Sequence, residues 1–181
     1  MNESSLLPAH KLACLTDIPT GFSLITGPRG VGKTSWCEAL NSRAMELGLT
    51  TGGILCPALI ENETKTGIQI IDIQTGERRL LGSRYPDSEL NLQVGENRYF
   101  DLRALQWGNE ILQRTSGIDL TIIDELGLLE FEQGSGFGAG LQLLDQRRYQ
   151  SACVVVRPKF LAYARQRWPE GRIIRLSDGA A

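Results

Sequence analysis

The stretch Gly27-Pro-Arg-Gly-Val-Gly-Lys-Thr34 decides the fold, because it stands between two segments of regular pattern. Before it, Phe22 to Thr26 is a short apolar run, which is typical of a buried strand. After it, apolar residues recur at helical spacing from Trp36 to Leu47, and Gly48 stands where a helix cap is expected. A glycine-rich turn of the form GxxxxGK[ST] between a strand and a helix predicts a phosphate-binding P-loop.

The residue types of this loop predict how it binds a nucleotide. Consecutive backbone N–H groups of a glycine-rich turn point inward, and the helix N-terminus adds partial positive charge, so the loop cradles phosphate oxygens. Lys33 is expected to reach the β and γ phosphates, and the Thr34 hydroxyl to bind the Mg²⁺ that bridges them. The residues assigned to nucleotide binding are Gly27, Pro28, Arg29, Gly30, Val31, Gly32, Lys33, Thr34 and Ser35.

Two acidic residues follow a second apolar strand, predicted over Ile118 to Ile123. A P-loop needs a metal-side carboxylate at the end of a different strand, and Asp124 is assigned this role. The adjacent Glu125 is predicted to accept a proton from the water that attacks the γ-phosphate, or to orient that water. Together with Lys33 it is assigned to the catalytic residues.

Arg157 is the third catalytic candidate. It follows the apolar run Val154 to Val156, and the carboxyl ends of parallel strands face the ligand crevice. Arg157 is therefore a candidate to stabilise the γ-phosphate, and a role as an ordinary surface arginine before a helix is equally compatible with its position. Arg29 and the pair Arg147 and Arg148 are weaker candidates for the same contact.

The rest of the chain predicts an α/β fold. Helices are predicted around 104–112, 141–148 and 159–168, and strands at 152–156 and 172–176, with a hairpin formed by 68–73 and 80–81. Short apolar strands separated by helices indicate a mainly parallel sheet covered on both faces. The predicted fold class is the three-layer sandwich of P-loop NTPases with a β-hairpin insertion.

Other segments are assigned with less detail. Residues 1–20 are predicted to be an N-terminal extension and 21–178 the P-loop domain, with a polar loop at 82–98. The alternation slips at Ile70-Ile71, so the buried face of the hairpin is left open. Glycines alternate from Gly134 to Gly140, which predicts a mobile loop that either closes over nucleotide or simply connects two elements at the surface.

Composition excludes several function classes. The 181 residues carry a formal net charge of -2, without the basic excess of a non-specific nucleic-acid binder, so nucleic acid is not an expected partner. The single histidine, His10, excludes sites with two histidine ligands, and the four cysteines form no CxxC pair. No secretion signal or membrane span is evident, so a cytoplasmic protein without a membrane partner is expected; no protein partner is indicated.

With these motifs in place, residues 21–177 resemble the THEP1-type nucleoside-triphosphatases. The resemblance rests on the P-loop followed by motifs of fixed order: Thr51-Gly-Gly53, Gly67 to Asp72 with Thr75-Gly-Glu77, Val94-Gly95, and Ile122-Ile-Asp-Glu-Leu-Gly127 with Glu130. It implies Mg²⁺-dependent hydrolysis of ATP and other nucleoside triphosphates to the diphosphate and phosphate, with loose base preference. The family's basic residues before the hairpin are replaced here by Ala58 to Glu61 and Thr64 to Ile68, where Lys65 retains one positive charge.

Two further functions are compatible with a P-loop in a chain of this size. A small-molecule or nucleotide kinase would use some of the many arginines to bind an acceptor phosphate. A nucleotide-switched accessory ATPase module would use slow turnover to control a partner. A dedicated GTPase is disfavoured, because Arg157-Pro-Lys-Phe160 stands where the base-reading Asn-Lys-x-Asp segment is expected.

Overall fold

A mixed eleven-stranded sheet forms the centre of the structure, a computed structural model that describes residues 5–8, 17–85, 92–93 and 99–177. Its strands are β1 (Ser5–Pro8), β2 (Phe22–Thr26), β3 (Thr51–Leu55), β4 (Ala58–Glu61), β5 (Thr64–Asp72), β6 (Arg78–Ser83), β7 (Leu92–Gln93), β8 (Tyr99–Phe100), β9 (Leu120–Leu126), β10 (Ser151–Val156) and β11 (Arg172–Ser177). The helices are α1 (Lys33–Glu46), α2 (Leu102–Arg114), α3 (Leu128–Phe131), α4 (Gly138–Asp145) and α5 (Leu161–Arg167), with a 3-10 turn at Pro158–Phe160.

The strand order places the P-loop strand inside a parallel sheet. Along the sheet the order is β1-β11-β2-β10-β9-β3-β5-β6-β8-β7, with β4 paired to β5. The pairs from β1 to β3 are parallel, and those from β3 onward are antiparallel. This confirms the predicted fold class of a mainly parallel sheet with a hairpin insertion. The carboxyl ends of β2, β9 and β10 consequently meet at one edge.

Each face of the sheet is covered by its own apolar layer. Alternate strand residues belong to different layers: Leu24 packs with α2, α4 and α5, whereas Ile25 packs with α1 on the other face. The same division explains the slip in the hairpin pattern, since Ile70 and Ile71 are both buried, one in each layer. Both faces of the hairpin are therefore buried at these two residues.

Two local predictions were wrong in part. Leu47 lies beyond the end of α1 and is 48% exposed, because the helix ends at Glu46 and Gly48 follows with φ 76°. Within the predicted polar loop 82–98, β6 extends to Ser83 and Leu92–Gln93 pairs with β8. The rest of that loop from 86 on, with Val94 and Gly95 of the family pattern, lies outside the described residues.

The N-terminal segment contributes to the sheet. Ser5–Pro8 pairs in parallel with β11, from Ser5 opposite Ile174 to Pro8 opposite Ser177. The division of the chain into an extension and a domain at residue 21 stays a prediction. Among the described helices, none has the length and apolar character needed to cross a membrane.

Candidate active site

The P-loop connects β2 to α1 and lies against the last strand. A Cβ added to Gly27 would come within 2.4 Å of the Leu176 backbone oxygen, so this close approach requires glycine. Gly32 has φ 87° and caps α1, whose Trp36 N–H donates to the Gly32 carbonyl at 2.8 Å. The helix thus starts at Lys33 and directs its N-terminus at the loop, as the motif predicts.

The other predicted loop residues differ in exposure. The Val31 side chain is buried in the layer that contains α1 and anchors the loop. Residues with half-buried positions are Gly32, Lys33 and Thr34, and exposed residues are Pro28, Arg29, Gly30 and Ser35. The exposed part of the loop is therefore its outer turn, where the backbone is accessible to a ligand.

The Lys33 ammonium lies inside the loop. Its Nζ donates hydrogen bonds to the carbonyl oxygens of Gly27, at 2.9 Å, and Pro28, at 2.7 Å. Burial lowers the pKa of Lys33, and the nearby Glu125 carboxylate opposes this shift. The lysine is thus held by weak neutral acceptors at the position where phosphate oxygens are expected.

Asp124 lies in β9 next to the start of α1, and its side chain is almost fully buried. Its carboxylate accepts a hydrogen bond from the Cys56 backbone N–H at 3.1 Å. Burial raises the pKa of Asp124 to about 6, and the Cys56 N–H and the nearby Thr34 hydroxyl oppose that shift. The structure therefore brings together the two residues assigned to the metal.

An irregularity in β9 lies at the acidic pair. Ile123 pairs with Val154 and Leu126 with Val156, so two residues of β9, Asp124 and Glu125, face one residue of β10. Successive side chains of a regular strand point to opposite faces, whereas an extra residue changes the direction of the side chains around it. Both acidic side chains lie close enough to Lys33 to influence its pKa. The prediction that the strand ends at the acidic pair was wrong, since β9 continues to Leu126.

Glu125 and Arg157 form an ion pair between Oε1 and Nε, with both side chains partly exposed. Arg157 follows β10 directly and precedes the 3-10 turn, so the parallel pairing of β9 and β10 places the two residues side by side. Arg157 also influences the pKa of Lys33. The structure thus favours a position of Arg157 beside Glu125 at the site over that of an ordinary surface arginine.

Other predicted arginines lie elsewhere. Arg147 pairs with Glu170 at 2.9 Å, and the Arg148 guanidinium donates to the Gln113 carbonyl at 2.9 Å. Both follow α4 and precede the amino end of β10, opposite the edge that carries Arg157. The structure therefore does not bring Arg147 and Arg148 to the edge that carries the P-loop.

The glycine-spaced segment, Gly134 to Gly140, is held by hydrogen bonds. Gly138 begins α4, so the last three of the seven residues predicted as a mobile loop are helical. The Asn109 amide donates to the Gly136 carbonyl at 2.8 Å and accepts from the Ala139 N–H at 2.9 Å. The Glu130 carboxylate accepts from the Phe137 N–H at 2.7 Å. The segment predicted to be a mobile loop therefore makes specific hydrogen bonds to α2 and to Glu130.

Sequence reasoning did not assign partners to Glu130 or include Cys56. Glu130 belongs to the family-like motif, which was the only signal for it. Cys56 acts through its backbone N–H, which any residue other than proline supplies, so its identity carried no signal. No cluster of three or more His, Cys, Asp or Glu suited to a metal occurs in the described part of the chain.

Comparisons with known proteins agree with this geometry. A family model described as NTPase matches residues 23–162, which is most of the chain. The nucleoside-triphosphatase THEP1 of Caldivirga maquilingensis is 27% identical over 153 residues, covering 84% of each chain. That of Methanopyrus kandleri is 30% identical over 112 residues, covering 62% of this chain and 61% of its own length.

Two solved structures share the fold. The crystal structure of THEP1 from the hyperthermophile Aquifex aeolicus superposes with a TM-score of 0.63 at 22% identity, covering 86% of this chain and 89% of that one. The solution structure of a human cancer-related nucleoside triphosphatase gives a TM-score of 0.67 at 18% identity, covering 88% of this chain and 90% of that one. At these identities the likeness concerns the fold. By the family match over residues 23–162, the chain belongs to the THEP1-type nucleoside-triphosphatase family and is an NTP hydrolase.

Proposed function

We propose that the protein catalyses Mg²⁺-dependent hydrolysis of ATP and other nucleoside triphosphates to the diphosphate and phosphate. The observation that carries the proposal is the close approach of the Thr34 hydroxyl, at the start of α1, to the buried Asp124 carboxylate of β9. It joins the phosphate-binding loop to the acidic strand, beside Lys33 and Glu125. The names of the relatives support the same reaction class.

The residues present fit a magnesium ion. Mg²⁺ prefers oxygen ligands and is commonly bound by one or two protein groups together with phosphates and water. The Thr34 hydroxyl and the Asp124 carboxylate supply such oxygens at one place, and a dedicated cage of carboxylates is not required. When held by Thr34 and Asp124, the ion would neutralise negative charge that develops during phosphoryl transfer.

The loop residues would bind and orient the polyphosphate. Backbone N–H groups between Arg29 and Thr34 would donate to phosphate oxygens, helped by the N-terminus of the 14-residue helix α1. Lys33 would exchange its two carbonyl partners for phosphate oxygens, because a charged acceptor forms the stronger hydrogen bond. This exchange would place the positive charge of the Lys33 ammonium beside the phosphoryl group that is transferred.

Glu125 is the group proposed to receive a proton from the attacking water. It is partly exposed at the carboxyl edge of the sheet, so water has access to it, and Arg157 fixes the direction of its carboxylate. The remaining N–H groups of the Arg157 guanidinium are available to the γ-phosphate. Arg157 would thus orient the base and stabilise charge in the transition state.

The test is phosphate release from ATP, GTP, CTP and UTP with and without Mg²⁺, compared among variants. Glu125→Gln is expected to lower kcat about 10²- to 10⁴-fold, the usual contribution of general base catalysis, and to retain nucleotide binding. Lys33→Ala is expected to weaken binding and turnover together. Glu132→Gln removes an exposed carboxylate of the same segment and serves as the matched control with unchanged turnover.

Binding is measured separately by calorimetry, or by fluorescence of Trp36, which is buried just after the loop. Turnover without Mg²⁺ equal to that with it would contradict the metal assignment. Wild-type kcat in Glu125→Gln would remove the catalytic assignment of that residue.

A further inference from the structure

We infer that Glu130 is a positioning residue for Glu125. Its carboxylate joins the chain just after β9 to the start of α4 and so fixes the backbone two residues after Glu125. The inference rests on the function proposed above for Glu125 and adds a residue to which that function assigns no role.

The Glu130 side chain is held by two short hydrogen bonds. Oε2 accepts from the Gly127 N–H at 2.7 Å, and Oε1 accepts from the Phe137 N–H at 2.7 Å. The residue is only 8% exposed, and burial raises its pKa, whereas these backbone donors oppose that shift. A buried carboxylate with both oxygens occupied by backbone groups holds two segments in a fixed relation.

The glycine-spaced segment makes room for this carboxylate. A Cβ on Gly136 would lie 2.1 Å from Oε1 of Glu130, and Gly136 has φ 71°. Any side chain at this position would therefore displace the carboxylate. The glycines that the sequence suggested for a mobile loop instead allow a close, ordered contact.

The connection to the site runs through Gly127. Gly127 lies near the Glu125 carboxylate, since a Cβ added to this glycine would come 3.6 Å from Oε1 of Glu125. Gly127 is buried and two residues from Glu125, and its N–H is fixed by Glu130. Loss of that hydrogen bond frees the backbone beside Glu125, while the loop, Lys33 and Asp124 keep their own contacts.

Asn109 provides a matched control. It holds the same segment from the other side, through the Gly136 carbonyl and the Ala139 N–H, and these bonds do not involve Gly127. Asn109→Ala therefore loosens the segment without releasing the end of β9. A merely structural role of Glu130 predicts that the two variants behave alike.

The experiment measures kcat, KM and nucleotide affinity for Glu130→Gln and Asn109→Ala, with urea unfolding of each. Glu130→Gln keeps the shape but places an NH₂ group against a backbone donor. Its kcat is expected to fall about 10- to 100-fold, as for a small misplacement of a catalytic group, with nucleotide affinity unchanged. Asn109→Ala is expected to lose stability and keep kcat.

A double-mutant cycle tests whether Glu130 acts through Glu125. In a Glu125→Gln background, single-turnover rates with excess enzyme should show no further loss from Glu130→Gln. If Glu130→Gln does not fold, Gly136→Ala displaces the same carboxylate and must give the same pattern.

Three results would overturn the inference: wild-type kcat in Glu130→Gln, equal losses of kcat in Glu130→Gln and Asn109→Ala, or a full loss in the Glu125→Gln background. Failure of the proposed function looks different, since the wild-type chain itself would then release no phosphate.

Discussion

Substitution of Asp72 tests whether the family-like motif that ends at this residue stabilises the fold and does not take part in catalysis. Its side chain is fully buried at the end of β5, where it accepts hydrogen bonds from the Gln74 N–H at 3.0 Å and the Thr75 hydroxyl at 2.8 Å. It also forms an ion pair with Arg114, whose side chain is 48% exposed. Asp72→Ala leaves all three donors without this acceptor.

The magnitude follows from the exposure of each partner. Each hydrogen bond from a neutral donor to this carboxylate contributes about 1–1.5 kcal/mol. The ion pair to a half-exposed arginine contributes about 0.5–1 kcal/mol, because solvent screens it. Asp72→Ala is therefore expected to lower the free energy of unfolding by about 2–4 kcal/mol. Since its partners all belong to the turn and α2, kcat per folded molecule is expected to stay at the wild-type value.

Urea unfolding measures the loss, and Glu77→Ala is the control. Glu77 is an exposed carboxylate of the same turn that pairs with Arg79 at 2.8 Å, so its removal should cost less than about 1 kcal/mol. Equal losses in Asp72→Ala and Glu77→Ala, or a lower kcat in folded Asp72→Ala, would refute this reasoning.

Three further changes are expected to act through single contacts. Hydrogen bonds from Thr50 lower the pKa of Asp119, so this carboxylate stabilises the fold above pH 3.8, and its contribution disappears as the pH falls through the folded pKa. The urea midpoint of Asp119→Asn should therefore fall less steeply with acid than that of the wild type. Identical pH profiles of the two proteins would contradict the assignment. Phe160→Ala removes a ring that is 1% exposed, and thermal or urea unfolding should show a loss of about 3–5 kcal/mol, whereas a loss below 1 kcal/mol would argue against tight packing. Arg147→Gln breaks only the surface pair with Glu170, so phosphate release should be unchanged, and any marked fall in kcat would restore Arg147 as a site candidate.

The sequence predicts those parts of the fold whose pattern is contained within a short segment of the chain. The strand, P-loop and helix at 22–46 follow from an apolar run, a glycine motif and helical spacing, and all three are confirmed. The strands at 120–126 and 151–156 contain the apolar runs Ile122-Ile123 and Ala152 to Val156, because both faces of the sheet are covered. Their parallel pairing then places Arg157 beside Glu125.

The rest depends on contacts between distant segments. The irregular pairing at Asp124 is a property of two strands together, and neither strand shows it alone. The alternation at Ile70 could not assign a face, because helices on both sides bury both faces. The segment from Gly134 was predicted to be mobile because glycine favours flexibility, whereas side chains at 109 and 130 hold it.

The contact between Gly27 and the Leu176 backbone has a consequence for biosynthesis. The loop that receives the phosphates is encoded early, but the strand that supports it comes about 150 residues later, paired with β2. A ribosome-bound chain that already contains Lys33 therefore lacks one wall of its nucleotide site until β11 has emerged. We therefore expect nucleotide to stabilise this protein only late in synthesis, after nearly all of the sheet is available.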